Sequence, residues 1–154
     1  MIHRANYSDI PSLTKIRLEF LQEEFGKIND DAMSQLKESL PTYFEKNLNK
    51  NIFCYLEKEN EEIVSCAFLL VVEKPANPMF LSGKTGTVFN VYTKPSHRMK
   101  GYAKDLMTAL LSDASKMNLS TVDLLSTKSG YHLYKSLGFA DIVSEYRPME
   151  WKNI

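Results

Sequence analysis

The stretch Val88–Ala114, VFNVYTKPSHRMKGYAKDLMTALLSDA, constrains this chain more than any other. Its period changes midway. Val88, Phe89, Val91 and Tyr92 are β-branched or aromatic, as an extended strand favours. Pro95 ends that run, because it has no N–H for a ladder. Further on, Ala103, Leu106, Met107, Leu110, Ala114 and Met117 fall three and four apart. That spacing predicts a helix with one stripe turned to a core. The turn between them carries His97, Arg98, Lys100, Gly101 and Lys104. A helix start leaves backbone N–H groups without internal partners and carries partial positive charge. With the basic side chains, and a glycine that admits a bulky group, such a turn can receive phosphate or pyrophosphate. A solvated basic turn with a strain-relieving glycine reads equally well from the residues alone.

The rest of the chain supplies the other elements. Met1 to Ala5 reads as a short strand. Ser8-Asp9-Ile10-Pro11 reads as a helix start, a capping side chain followed by an early proline, and that helix stops near Gly26. A second helix spans roughly Asp31 to Leu48, with a kink or break expected at Pro41. Ile52–Glu57 and Ile63–Glu73 read as antiparallel strands around a charged tip. Lys74–Gly83, with two prolines, is a loop. A fourth strand runs from about Lys84 to Thr93, a fifth from Thr121 to Leu125. A short helix covers about Gly130 to Leu137 and ends at Gly138. Phe139–Val143 and Tyr146–Trp151 read as two last strands. Gly83-Lys84-Thr85 resembles the end of a P-loop, but Pro78 stands where the motif needs glycine, and a strand follows instead of a helix.

Composition narrows the classes. A chain of 154 residues can bury its own core without metals or disulfides. It carries 19 basic and 19 acidic residues, so the basic turn is local and general nucleic-acid binding is not expected. Cys54 and Cys66 sit in strand-like segments and read as buried free thiols, without metal spacing. No apolar run is long enough for a membrane span, and no signal pattern opens the chain, so a cytoplasmic protein without membrane contact is expected.

Arg98-Met99-Lys100-Gly101-Tyr102-Ala103 resembles the Gln/Arg-x-x-Gly-x-Gly/Ala signature of the GCN5-related N-acetyltransferases. Its setting, after a strand and opening an amphipathic helix, resembles that family too. Leu133-Tyr134-Lys135-Ser136-Leu137-Gly138-Phe139 is similar to the family's second signature, Leu-Tyr-x-x-x-Gly-Phe. The resemblance covers essentially the whole chain and implies one N-acetyltransferase domain over residues 1–154. The implied fold is α/β (α+β), a mixed sheet of about seven strands with about four helices. The order is β-α-α-β-β-β-α-β-α-β-β, and the fourth and fifth strands splay apart.

The resemblance further implies acetyl-CoA as co-substrate, no metal, and a primary amine of a small molecule as acceptor. A protein or peptide N-acetyltransferase and a non-catalytic acyl-CoA sensor are the alternatives. A homodimer is the usual state of the family. The pyrophosphate would meet the backbone from Met99 through Lys100, Gly101, Tyr102 and Ala103 to Lys104, with Arg98 and Lys100 side chains either joining or facing solvent. Val91, Tyr92 and Thr93 would pair with the pantetheine arm through the main chain. The N–H of Val91 or Tyr92 is the expected oxyanion donor, since a fixed backbone dipole costs no reorganisation. Tyr134 is the expected proton donor to the leaving thiolate, its phenol being protonated at neutral pH.

Asn90 stands where the family often has Glu and cannot take a proton. By alternation it would share a face with Val88 and Tyr92 and hold a water or the acceptor amine. The turn after the fifth strand holds Thr127 and Gly130 where the family often has Asn and Ala, and the Thr127 hydroxyl is the candidate replacement contact.

Overall fold

The structure is a computed structural model and describes residues 1–153. Nine elements succeed one another: β1 (Ile2–Arg4), α1 (Ile10–Phe25), α2 (Asp30–Asn47), β2 (Ile52–Glu59), β3 (Glu62–Glu73), β4 (Lys84–Thr93), α3 (Tyr102–Lys116), β5 (Thr121–Asp123) and α4 (Tyr131–Ser136). Short 3₁₀ turns, Tyr7–Asp9 and Pro95–His97, precede α1 and follow β4. The strands form one sheet in the order β1-β2-β3-β4-β5. The first three pairings are antiparallel; β4 and β5 are parallel, joined over the α3 crossover.

Asn60 and Glu61 turn the β2–β3 hairpin, both at positive φ (49° and 65°), which matches the right-handed twist of the strands. β2 and β3 bury both faces, so their runs read as continuous apolar sequence instead of alternation. On one face Leu13, Ile16, Phe44 and Phe68 pack under α1 and α2. On the other, Leu69 and Tyr55 meet Leu106, Met107 and Leu110 of α3. A Cβ at Gly86 would lie 2.8 Å from Leu69 Cδ1 and 2.9 Å from Leu119 Cδ1, so any other residue would make these two side chains shift.

Three expectations are corrected. The sheet has five strands, not about seven. Phe139–Val143 and Tyr146–Trp151 carry strand-like sequence but no ladder, because among the described residues no strand lies beside them. Ile142, Val143, Tyr146, Met149 and Trp151 stand 79–96% exposed. α2 runs through Pro41 as one helix; the carbonyl that loses its N–H partner belongs to Lys37, an exposed residue, so the unmade bond is not buried. Capping also starts one turn early. Asn6 accepts from Ser8 N–H and Asp9 returns a bond to Asn6 N–H, a capping box on the 3₁₀ turn that leads into α1.

Candidate active site

The β4–β5 pairing covers only Thr85–Thr87 against Thr121–Asp123. Beyond Thr87 the outer edge of β4 has no strand partner among the described residues, so the two strands part there. On its inner edge β4 bulges. Cys66 pairs with Tyr92 and Phe68 with Phe89, leaving Asn90 and Val91 opposite Ala67 alone. Asn90 makes the extra step at φ +53°, a conformation asparagine tolerates better than most residues.

The bulge resets the alternation. Val88 and Val91 face α3, while Phe89 and Tyr92 face α1 and α2. Asn90 joins Phe89 and Tyr92, not Val88: its Oδ1 accepts from Arg17 Nη1 of α1 at 2.9 Å, and its Nδ2 lies 3.4 Å from Cys66 Sγ. Asn90 is 3% exposed. Its side-chain oxygen is thus engaged by Arg17 within the packed interior. Arg17 lies over the rings of Phe20 and Phe89 at 5.7 and 5.6 Å, and burial lowers its pKa from the ordinary arginine value. Burial likewise pushes the Cys66 thiol up to about 12.

After β4 the chain makes its 3₁₀ turn and enters α3 through Met99 (φ +64°) and Gly101 (φ +83°). Gly101 caps α3 without a side-chain bond. The consecutive N–H groups from Met99 to Lys104 find no acceptor among the described residues. A Cβ at Gly101 would meet nothing within 4 Å, so space stands open in front of these donors. Met99 is fully exposed, and Tyr102 and Ala103 are half-buried.

The side chains of the turn point elsewhere. Arg98 Nε donates to Thr93 O and its Nη2 to both Glu23 oxygens, all at 2.8 Å, with the guanidinium 5.8 Å over the Tyr92 ring. It ties the end of β4 to α1. Thr93 Oγ1 lies 2.7 Å from Ser65 Oγ, which ties the same end to β3. Glu59, at the end of β2, gathers the other side of the turn: it accepts from the Tyr102 hydroxyl, and its carboxylate lies 3.1 Å from His97 Nε2 and 3.6 Å from Lys100 Nζ. The Tyr102 hydrogen bond first, then the charges of Lys100 and His97, hold the Glu59 carboxyl below its ordinary range. The Lys104 side chain is exposed.

Tyr134 lies half-buried on α4, its ring 5.9 Å from that of Phe139, and its hydroxyl donates to no described group. Burial raises its pKa. It borders a cavity of about 720 Å³ between the C-terminal half of α3, β5, α4 and the chain after Phe139. None of residues 98–104 lines this cavity. Tyr131 donates to Asp141 at 2.8 Å. Thr127 Oγ1 accepts from Gly130 N–H at 3.2 Å, which ties the turn to the residue before α4 begins at Tyr131; the helix itself has no side-chain cap.

Sequence reasoning missed Arg17, Glu23 as the Arg98 partner, and Glu59. Arg17 carried a signal, being a cation four residues after Leu13 and three before Phe20 on the apolar stripe of α1. The partners of Arg98 and Tyr102 lie 75 and 43 residues away, and nothing local marks them.

Comparison with known proteins fits this geometry. The pattern of the Acetyltransferase (GNAT) family matches residues 12–139. A predicted acetyltransferase from Clostridium acetobutylicum, crystallised with acetyl-CoA, is 27% identical with a TM-score of 0.84, over 97% of this chain and 95% of that one. A GCN5-related N-acetyltransferase from Ralstonia eutropha JMP134 is 20% identical with a TM-score of 0.77, over 97% of each. A ribosomal-protein-alanine N-acetyltransferase from Brucella melitensis biovar Abortus 2308 is 17% identical with a TM-score of 0.70, over 97% and 99%. The last two likenesses concern the fold. No curated protein matches the chain. With the parted strands, the bulge and the open helix start in place, the chain belongs to the Acetyltransferase (GNAT) family.

Proposed function

We propose that this protein transfers an acetyl group from acetyl-CoA to a primary amine of a small molecule, residues 1–154 acting as one domain. One observation carries the reading: unengaged N–H groups from Met99 to Lys104, with open space before Gly101, stand beside the strand edge that β5 leaves free. Such a turn fits the diphosphate of coenzyme A. The bound coenzyme supplies a thioester that a neutral amine can attack.

The residues divide the remaining work. The main chain from Met99 to Lys104 binds the anion, while Arg98 and Lys100 brace the turn through Glu23 and Glu59. The edge at Val91, Tyr92 and Thr93 offers backbone groups to an extended ligand. The N–H of Val91 or Tyr92 takes developing negative charge, because the bulge fixes its direction beforehand. Asn90 acts by holding that bulge to Arg17. Tyr134 keeps a proton on its hydroxyl for the departing sulfur. Thr127 positions α4, and with it Tyr134. The Arg98–Glu23 tie closes the space between α1 and the end of β4, which favours a compact acceptor over a peptide laid across the sheet. Buried unpaired thiols at Cys54 and Cys66 suit a reducing cytoplasm.

Coenzyme A release, followed over a panel of small amines and N-terminal peptides with acetyl-CoA as donor, tests the reading. Turnover on a small amine supports it. Turnover on peptides alone, or tight acetyl-CoA binding with no turnover on any acceptor, overturns it.

A further inference from the structure

Arg17 is a half-buried cation without a counter-charge. Its Nη1 donates to Asn90 Oδ1 at 2.9 Å, and its guanidinium makes no other hydrogen bond among the described residues. The Nε–Nη2 edge, two parallel donors, is therefore unused. Arg4 and Arg98 have carboxylates at 3.8 and 2.8 Å, from Asp113 and Glu23. Arg17 has none among the described residues. Burial lowers its pKa, and only the Cys66 thiol and the Tyr43 phenol act in the other direction. Burial raises both of those groups above their ordinary values, so they are neutral at pH 7 and supply no negative charge. The faces of Phe20 and Phe89 offset part of the cost of burying the cation, but a ring face does not pair with a fork of two N–H groups.

The unused donors are within reach of a ligand. Among the described residues, Thr14 Oγ1 is the one fully buried side-chain polar atom without a partner, so the free nitrogens of Arg17 are not sealed in the core. Their place along β4 matters as much. Arg17 grips Asn90, and the next residue, Val91, carries one of the N–H groups proposed above for the developing oxyanion. Neighbouring Cα atoms lie about 3.8 Å apart, so one small molecule can span from the guanidinium to the reacting centre.

We infer that the acceptor is an amino carboxylate and that Arg17 selects it, the Nε–Nη2 edge receiving the carboxylate while the amine lies toward the β4 bulge. The inference rests on the acetyl-transfer reading above. A carboxylate matches a guanidinium edge with two parallel hydrogen bonds and supplies the missing charge. The same cation rejects the wrong acceptors: a polyamine or an alkylammonium brings a second positive charge and nothing to pair with the first. Toward the right acceptor it acts twice. It holds the carboxylate, and as a like charge it disfavours the ammonium form of the amine, so more of the bound acceptor is the neutral nucleophile. The amine nitrogen then bonds to the acetyl carbon, the C–S bond breaks with its electrons going to sulfur, one proton leaves the nitrogen and one arrives at the sulfur. The products are an N-acetylated amino carboxylate and free coenzyme A, and the carboxylate on Arg17 is unchanged throughout.

Matched acceptors test this: amino acids, their carboxamides, and the amines left when the carboxyl group is removed. Each is assayed with acetyl-CoA and the wild type, Arg17→Gln or Arg17→Lys. Wild-type kcat/KM is expected to be roughly 10–100-fold higher for an acid than for its amide, the size of a lost charged hydrogen bond. Arg17→Gln is expected to lose that preference through KM, while coenzyme A affinity, set by the turn into α3, holds. Arg17→Lys keeps the charge without the fork and is expected to retain part of the preference. Calorimetric binding of the same compounds to the coenzyme A complex gives a readout without turnover. A wild type that prefers amides or neutral amines overturns the inference and leaves acetyl transfer standing. An undiminished preference for acids in Arg17→Gln does the same, since another residue would then hold the carboxylate. If Arg17→Gln does not fold, the wild-type ratio of acid to amide decides. Arg17-dependent binding of acids with no turnover of any acceptor supports the carboxylate site and removes the acetyl-transfer reading. Neither binding nor turnover overturns both.

Discussion

The roles proposed for Tyr134 and Asn90 are tested at single residues. The Tyr134 hydroxyl has no described partner and its pKa is raised by burial, so its proton is retained past the ordinary phenol value of 10.0. Tyr134→Phe is expected to leave coenzyme A affinity nearly unchanged and to lower kcat at least about tenfold, the low end of general-acid effects. The sign of the pH dependence follows from the direction of the shift. A raised pKa extends the protonated form upward, so the wild-type kcat profile loses nothing to Tyr134 below the ordinary value. An unchanged kcat in the phenylalanine variant removes the residue from the mechanism.

Asn90 separates two roles in one residue, a left-handed backbone step and an acceptor for buried Arg17. Asn90→Gly keeps the step and loses the acceptor, at a cost of about 1–3 kcal/mol for the orphaned donor. Asn90→Ala loses both and is expected to be less stable than the glycine variant by a further ~1–2 kcal/mol. Urea unfolding of the pair measures the difference. Equal stabilities mean the positive φ is not strained.

At the scale of elements, the helix start at Gly101 is the feature that the sequence displays and the structure completes. A Cβ there meets no atom, so Gly101→Ala and Gly101→Glu carry the same backbone cost at φ +83°, about 1–2 kcal/mol, and both should fold. Only the glutamate places a carboxylate before the open N–H groups. It is expected to abolish coenzyme A binding by calorimetry where alanine weakens it less. Wild-type affinity in the glutamate variant means the diphosphate sits elsewhere. This turn was legible because its cues are local: a period of two gives way to one of 3.6 across a proline and a glycine. The bulge was not, since nothing in the order Val88-Phe89-Asn90-Val91 states that two residues will face one, and plain alternation put Asn90 on the wrong side of Val88. The destinations of Arg98 and Tyr102 were hidden for a related reason: hydrogen bonds across dozens of residues follow from the packed fold, not from spacing. The arm after Phe139 shows the opposite failure. Its strand-like pattern was readable, but a strand exists only where a neighbour supplies the ladder.

For the molecule as a whole, the sheet is the part both faces share. α1 and α2 pack one side, α3 the other, and β4 runs between the two cores while carrying the bulge and ending at the turn into α3. A ligand held by that turn and by the free edge of β4 would touch elements of both cores, and it would bind only when they are assembled. Binding of this kind is linked to global stability: at a concentration of 100 times Kd it adds about 2.7 kcal/mol. For a chain of this size each kcal/mol moves Tm by roughly 2–4 °C, so saturating coenzyme A is expected to raise Tm by about 5–10 °C in one cooperative transition. Calorimetry of the wild type and of Gly101→Glu makes the comparison. The shift should vanish in the variant while its own transition stays single. A wild-type transition that splits on adding coenzyme A, with only one component moving, would mean that the two faces of the sheet unfold independently and that the ligand holds just one of them.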